Sequence, residues 1–457
     1  MSFASSEVRA ILKLTAPILA TQLAQVGMGT IDTLMSGYVS TRDLAAVAIG
    51  SAVWTPVWLF LAGILVALSP AVAKANAAND AENLPKLLST AIALGVTSGL
   101  ILGALVAYIG WSIPVFVDDA HTAQVASQYL YAIAIGMPIS GVFLALRFYA
   151  EALNAASHVT RIMLIGLALN IPINYVLIYG LFGLPELGGV GCGVGSATVL
   201  LIMSVAMLAN TRKHRLQKNY SLFANALRSR FSDLLALAKV GLPIGIAIFF
   251  EVSLFTAIAL FLADLGPVVV AGHQVALNVA SVTFMLPLSL GMAMTVRVGH
   301  HLGSTGKGQT GTLDAKRSSW LGVKLNLGLA LFNAVLITLF AGFIANLYSP
   351  DPAVVAIGTS LLFFAALFQI SDAIQIAAAG ALRAYEDTFA VMLITFVAYW
   401  LIGFGSGWYL AYEASEPMGA AGFWIGLIIG LTFAAVALVA RLISISNRAE
   451  TIIEKMQ

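Results

Sequence analysis

Charge is scarce in this chain. Only 10% of its 457 residues are Asp, Glu, Lys or Arg, against roughly 25% in soluble domains, which excludes a water-exposed globular surface, a disordered chain and a coiled coil. The net charge of +2 offers no field for DNA or RNA, so no nucleic-acid partner is expected. Cysteine is nearly absent as well. Cys192 alone excludes an internal disulfide and any Cys-based metal cluster, and it reads as a small packing residue.

What fills the chain is apolar: 60% hydrophobic residues and a mean hydropathy of +0.94. A spanning helix takes about 20 such residues, so the length holds about a dozen with short connections and leaves little for a catalytic domain. Twelve continuous runs are present, from Ile11–Tyr38 to Gly419–Leu442. A membrane β-barrel would instead alternate in ten-residue units. The start, MSFASSEVRAILK, places Arg9 and Lys13 before an apolar run as a signal peptide would, but Pro17, Gln22, Gln25 and Asp32 interrupt that run and no small-x-small cleavage site follows. The first run is therefore read as a retained helix.

Basic residues stay on the cytoplasmic side of short loops. With twelve spans, 22 of the 23 Lys and Arg fall on one side and only Arg42 on the other. Both termini are thus expected to be cytoplasmic.

The halves repeat. LTAPILA around Pro17 matches VGLPIGI around Pro243, AEALNAAS from Ala150 matches AAGALRAY from Ala379, and Gly188, Gly191 and Gly195 recur as Gly419, Gly422 and Gly426. An even number of helices precedes the second copy, so both copies face the same way about an axis along the membrane normal. The expected architecture is an all-α polytopic membrane protein whose twelve transmembrane helices form two six-helix bundles related by a pseudo-two-fold axis. The expected domains are an N-terminal lobe, 1–212, a cytoplasmic linker, 213–237, and a C-terminal lobe, 238–457. The recurring glycines read as close helix packing.

An ionised group at mid-bilayer costs at least about 2.5–3.5 kcal/mol, so acids inside spans need a reason. Glu251 lies mid-span in GIAIFFEVSLFTAIA, Asp372 well inside its span in LFQISDAIQIAAAG, and Asp32 in the outer half of the first span in GMGTIDTLMSG. No Lys or Arg is expected deep enough to pair with them. Such carboxyls would hold a proton until water or another cation replaces it. Asn170 and Asn174, four apart beside Pro172, share a helix face with which Asp32 would form a network. Gln274 and Asn278 are placed to serve Glu251. Phe250, Phe284, Trp54 and Gln25 are candidates to line a substrate cleft, with the aromatic faces open to a cationic ligand. His273 reads as structural.

Enzyme signatures fail. GSTGKGQT lacks the first Gly and the final Ser or Thr of a phosphate loop, and GVGCGVG has Val194 and Ser196 where a dinucleotide fingerprint needs Gly. There is no HExxH and no GxSxG. No enzymatic activity and no cofactor are expected.

Taken together, the two six-helix halves, PELGGVGCGVGSA, FFEVSLF, AGHQVALN, RVGHHLG and DAIQIAAAGALRAYEDT resemble the multidrug and toxic compound extrusion (MATE) transporters, specifically their bacterial NorM branch. The resemblance implies a monomeric inner-membrane antiporter that exports hydrophobic, often cationic drugs and dyes in exchange for sodium or protons. It assigns Glu251 and Asp372 to cation binding, sodium included, and Asp32 to a proton or cation network with Asn170 and Asn174. One position departs: sodium-coupled relatives often carry a tyrosine one turn before the second acid, where this chain has Phe368. The alternatives are a lipid-linked precursor flippase of the same superfamily, which would carry a strongly basic cleft, and an intramembrane enzyme, which the failed motifs disfavour.

Overall fold

In hydrocarbon every backbone N–H and C=O must find its partner inside the protein, and the apolar runs meet that demand as long α-helices. The computed structural model describes residues 3–215, 221–304 and 311–454, and no strand occurs among them. Lys218, Lys307, Lys455, positions 216–220 of the linker and most of GSTGKGQT (305–310) lie outside the described residues.

The first half contains α1 (Phe3–Val39), α2 (Thr41–Ala78), α3 (Asn83–Phe116), α4 (Ala120–Ala152), α5 (Ala156–Tyr179) and α6 (Gly189–Arg215). After a short helix, Leu222–Leu227, come α7 (Phe231–Leu262), α8 (Pro267–Gly303), α9 (Gly311–Tyr348), α10 (Pro352–Ala384), α11 (Thr388–Glu413) and α12 (Ala420–Glu454). Eleven of these are long and apolar enough to cross a membrane. The remaining one, α1, is 37 residues long, but Lys13, Gln22, Gln25 and Asp32 dilute its apolarity.

Side chains set several helix starts. Ser40 accepts the Asp43 N–H (2.9 Å) at α2, Asp119 the Thr122 N–H (2.9 Å) at α4, and Asp351 the Ala353 N–H (2.8 Å) at α10, each satisfying a donor the helix leaves open. Pro267 and Pro352 occupy the first helical position of α8 and α10, where no N–H is missed.

Backbone contacts cluster the chain into two compact units, Ala20–Gly245, and Met1–Leu19 with Ile246–Gln457. In the first, Tyr129, Val47, Ala126 and Cys192 are buried together; the thiol is a packing group, fully covered. In the second, Phe368, Trp424, Phe423 and Leu262 form the centre of a larger cluster.

The same backbone devices recur in the two units. Gly188 and Gly419 turn with φ of 53° and 55°. Asn154 and Glu386, at φ 57° and 62°, close the ends of α4 and α10 through matching six-to-one bonds, Ala155 N to Ala150 O at 2.9 Å and Asp387 N to Leu382 O at 3.1 Å. The repeated glycines do bring helices close. A Cβ on Gly191 would meet the Leu177–Ile178 backbone and one on Gly422 the Leu410–Ala411 backbone. Along α11, Val397–Phe404 and Tyr409–Glu413 are π-wound, a form concentrated at functional positions. The first of these stretches carries Tyr399 and Trp400.

Candidate functional site

In the first unit Asp32 is held by three neutral donors. Its Oδ1 accepts the Asn170 and Asn174 amides at 3.1 and 2.6 Å, and its Oδ2 accepts the Ser196 hydroxyl at 2.7 Å. All three partners come from α5 and α6, and Asp32 and both asparagines are buried. Among the described residues no lysine or arginine pairs with this acid. Among the described residues the Asn170 and Asn174 side-chain oxygens find no hydrogen-bond partner. Ser196 escaped the sequence reading, although it is the residue that breaks the dinucleotide fingerprint. Tyr129, also missed, takes a hydrogen bond from Trp54 Nε1 at 3.1 Å and lies within electrostatic reach of Asp32.

The expectation that no basic group lies within the spans does not hold. Arg147, inside α4, is buried with Glu151. It donates from Nε to Glu151 Oε1 at 2.9 Å, from Nη2 to Gln22 Oε1 at 2.6 Å and from Nη1 to Gln25 Oε1 at 3.3 Å. Its place near the end of an apolar run made it read as a loop residue. The α4 helix instead continues to Ala152, and the i,i+4 spacing to Glu151 lets the pair be buried together.

In the second unit Glu251, half-buried at the middle of α7, interacts electrostatically with Asp372 and Arg383 of α10. Asp372 is buried; its Oδ1 accepts the Gln375 amide at 3.3 Å and its Oδ2 has no hydrogen-bond partner. Tyr399, on the π-wound part of α11, lies within electrostatic reach of both acids and beside Gln375. Asn326 of α9 donates to Ala373 O at 2.8 Å, and Gln369 donates to Thr283 Oγ1 at 2.8 Å and Ala280 O at 3.1 Å. These bonds fix α10 against α8 and α9 on either side of Asp372. The Asn326, Gln369 and Gln375 side-chain oxygens are likewise buried without partners.

Gln274 and Asn278 do not join this group. Gln274 is half-buried and Asn278 exposed, and among the described residues neither is hydrogen-bonded to Glu251. The four-residue spacing put them on one face, but a neighbouring helix decides which side chains meet that face. Of the cleft candidates, Gln25 is engaged by Arg147. Trp54 packs edge-on to Trp58 at 6.4 Å, Phe250 lies 4.9 Å from Phe396, and Phe284 is half-buried. Phe368 is wedged between Phe255 and Trp424, with centroids at 6.1 and 5.9 Å. His273 accepts the Trp424 Nε1–H at 3.2 Å and is fully buried, the structural part expected of it.

Twelve long helices with acids enclosed among amides, hydroxyls and two buried guanidiniums define an all-α polytopic membrane protein. A family model described as MatE matches residues 17–176 and again 243–409, once per half. The chain is 42% identical over 442 residues to the multidrug resistance protein MdtK of Pectobacterium atrosepticum, covering 96% of this chain and 95% of that one. It is 40% identical over 438 residues to NorM of Photobacterium profundum, covering 95% of each. This chain belongs to the MatE family, among relatives of the bacterial NorM kind. Its fold is also that of solved structures. A crystal structure of the eukaryotic MATE transporter AtDTX14 superposes with a TM-score of 0.84 at 20% identity, covering 99% of this chain and all of that one. An outward-facing multidrug resistance MATE family transporter gives 0.81 at 19% identity and 96% coverage of each.

Proposed function

We propose that this chain is a secondary-active multidrug efflux antiporter of the bacterial inner membrane, with both termini cytoplasmic, and not an enzyme. It exports hydrophobic, often cationic drugs and dyes in exchange for sodium or protons. Lobes 1–212 and 238–457, joined by the 213–237 linker, alternate in access without any cofactor, and the chain works as a monomer. The names of the relatives support the substrate class.

The observation that carries the coupling is the charge count around Glu251. Arg383 acts on Glu251 and Glu251 on Asp372, so two carboxyls are linked to one guanidinium and the ionised group is one positive charge short. A single proton or sodium ion makes up the difference. Asp32, with neutral partners only, offers a second place for the same exchange in the other unit. One inward charge moving through 100 mV releases about 2.3 kcal/mol, enough for roughly a fiftyfold gradient of a neutral drug. The two buried arginines do not favour the flippase, since Arg147 and Arg383 are each matched by a carboxyl instead of lining a free basic surface.

The test is ethidium or norfloxacin efflux from proteoliposomes with sodium and pH gradients imposed separately. Glu251→Gln and Asp372→Asn should each abolish gradient-driven efflux at normal expression. Full efflux by both variants removes the proposed coupling group, and efflux indifferent to both gradients removes antiport.

A further inference from the structure

At the end of the first unit opposite most of its basic residues, α3 and α4 flank an open groove of about 530 Å³. Its α3 wall is the face bearing Trp111 and Pro114, its α4 wall the face bearing Gln124, Gln128 and Tyr131, and Asp118 stands at the mouth in the turn between them. These positions recur at helical spacing, so each wall is one continuous stripe. From the start of α4 to Tyr131 the groove runs about 16 Å along the helix axis.

Its polarity changes along that length. Asp118, in the turn between the helices, is exposed, and no ion pair or hydrogen bond engages its carboxylate among the described residues. The next carboxylate along, Asp119, is otherwise occupied, capping α4 through Thr122 and facing Arg42 at 3.7 Å. One and two turns along α4, Gln124 and Gln128 expose amides with no partner among the described residues. At the level of the aromatic belt these amides face the lipid headgroup layer, where they can donate to phosphate and ester oxygens. On the facing wall, level with Gln128, Trp111 is 68% exposed and stacks on Tyr108 at 6.0 Å, in the manner of the aromatic belt at a membrane interface.

We infer that this groove binds a phospholipid bearing a primary ammonium headgroup. The ammonium, with three N–H donors, meets Asp118. The phosphate and glycerol esters accept from the Gln124 and Gln128 amides, and the first part of an acyl chain lies along Trp111 and Tyr131. An anionic headgroup meets repulsion from Asp118, and a trimethylated ammonium has no N–H to donate.

Native mass spectrometry of the full-length protein in detergent tests this, with dioleoyl phosphatidylethanolamine, phosphatidylcholine or phosphatidylglycerol added at equal concentration. Phosphatidylethanolamine should bind at least fivefold more tightly than the other two. Asp118→Asn, a surface change that leaves the fold intact, should erase that preference. Gln124→Leu with Gln128→Leu should weaken all three lipids alike, because the amides face the part they share. Equal binding of the three lipids, or a preference unchanged by Asp118→Asn, overturns the inference.

Discussion

Gly188 and Gly419, 231 residues apart, perform the same turn. Each has a positive φ, 53° and 55°, donates its N–H back to the preceding helix (Ile178 O at 3.1 Å, Ala411 O at 3.3 Å), and accepts from the residue three further on (Gly191 at 3.0 Å, Gly422 at 3.1 Å). The duplication is thus preserved at the level of single backbone torsions. A side chain in this conformation costs about 1–2 kcal/mol. At Gly188 an added Cβ would also lie 2.9 Å from Asp43 Oδ1, a carboxylate already pinned by the Gly189 N–H at 2.7 Å. At Gly419 the nearest atom is the flexible Leu265 Cδ1 at 3.3 Å. Gly188→Ala should therefore lower Tm in detergent more than Gly419→Ala, and the reverse order would show that the Asp43 contact is yielding.

The Asp32 cage predicts a graded loss. Asp32→Asn should abolish drug efflux at normal expression. Ser196→Ala removes one hydrogen bond to a charged group and should slow efflux by about tenfold. Gly195→Ala should do the same from a distance, because its Cβ would collide with Asn174 Oδ1 and drive that amide off the carboxylate. Dye-efflux rates matched for protein level check all three, and wild-type rates for Ser196→Ala would leave Asp32 without this proposed support.

Arg147 and Glu151 form an enclosed pair, and breaking it from one side strands a charge. Arg147→Met should cost about 3–5 kcal/mol of stability, whereas replacing both residues, Arg147→Met with Glu151→Leu, should recover much of that. A double-mutant cycle on thermal unfolding measures the coupling. Strict additivity would mean that the pair contributes through packing alone.

At the start of α1, before its apolar run, Glu7 is clamped by Arg297 (Nε 3.1 Å, Nη2 2.6 Å), Ser318 (2.7 Å) and His301 (3.2 Å). Burial opposes its ionisation, but the His301 and Arg297 hydrogen bonds, the Arg297 charge and the Ser318 bond outweigh burial and hold its carboxyl well below the usual carboxylate range. A pKa lower in the folded than in the unfolded chain stabilises above the unfolded value, about 4.3, and that stabilisation is lost as the pH falls below it. Glu7→Gln should cost about 3 kcal/mol at neutral pH, and its Tm deficit should shrink as the pH is taken below about 4.3. A deficit that persists unchanged in acid would assign the loss to shape instead of charge.

Much of the molecule was legible in one dimension. Apolar run length fixes where helices must lie, because unpaired backbone cannot remain in lipid. The cost of a buried charge singles out Asp32, Glu251 and Asp372 from their surroundings alone. Asn170 and Asn174 were readable as well, since helical spacing puts them on one face. Gln274 and Asn278 had the same spacing and do not bond Glu251, because spacing orders residues along a helix without saying what packs against it.

The sequence by itself therefore determined the class of protein, the doubling of its halves and the acids at its centre, all consequences of burying backbone and charge in a poor dielectric. Tertiary structure alone decided the partners. Ser196 reaches Asp32 across 164 positions of chain, Tyr399 joins the Asp372 group from a π-wound turn, and Arg147 becomes an interior residue because Glu151 and two glutamines close around it. Such meetings depend on helix crossings, and a hydrogen bond spans about 3 Å, a distance that composition and spacing cannot measure.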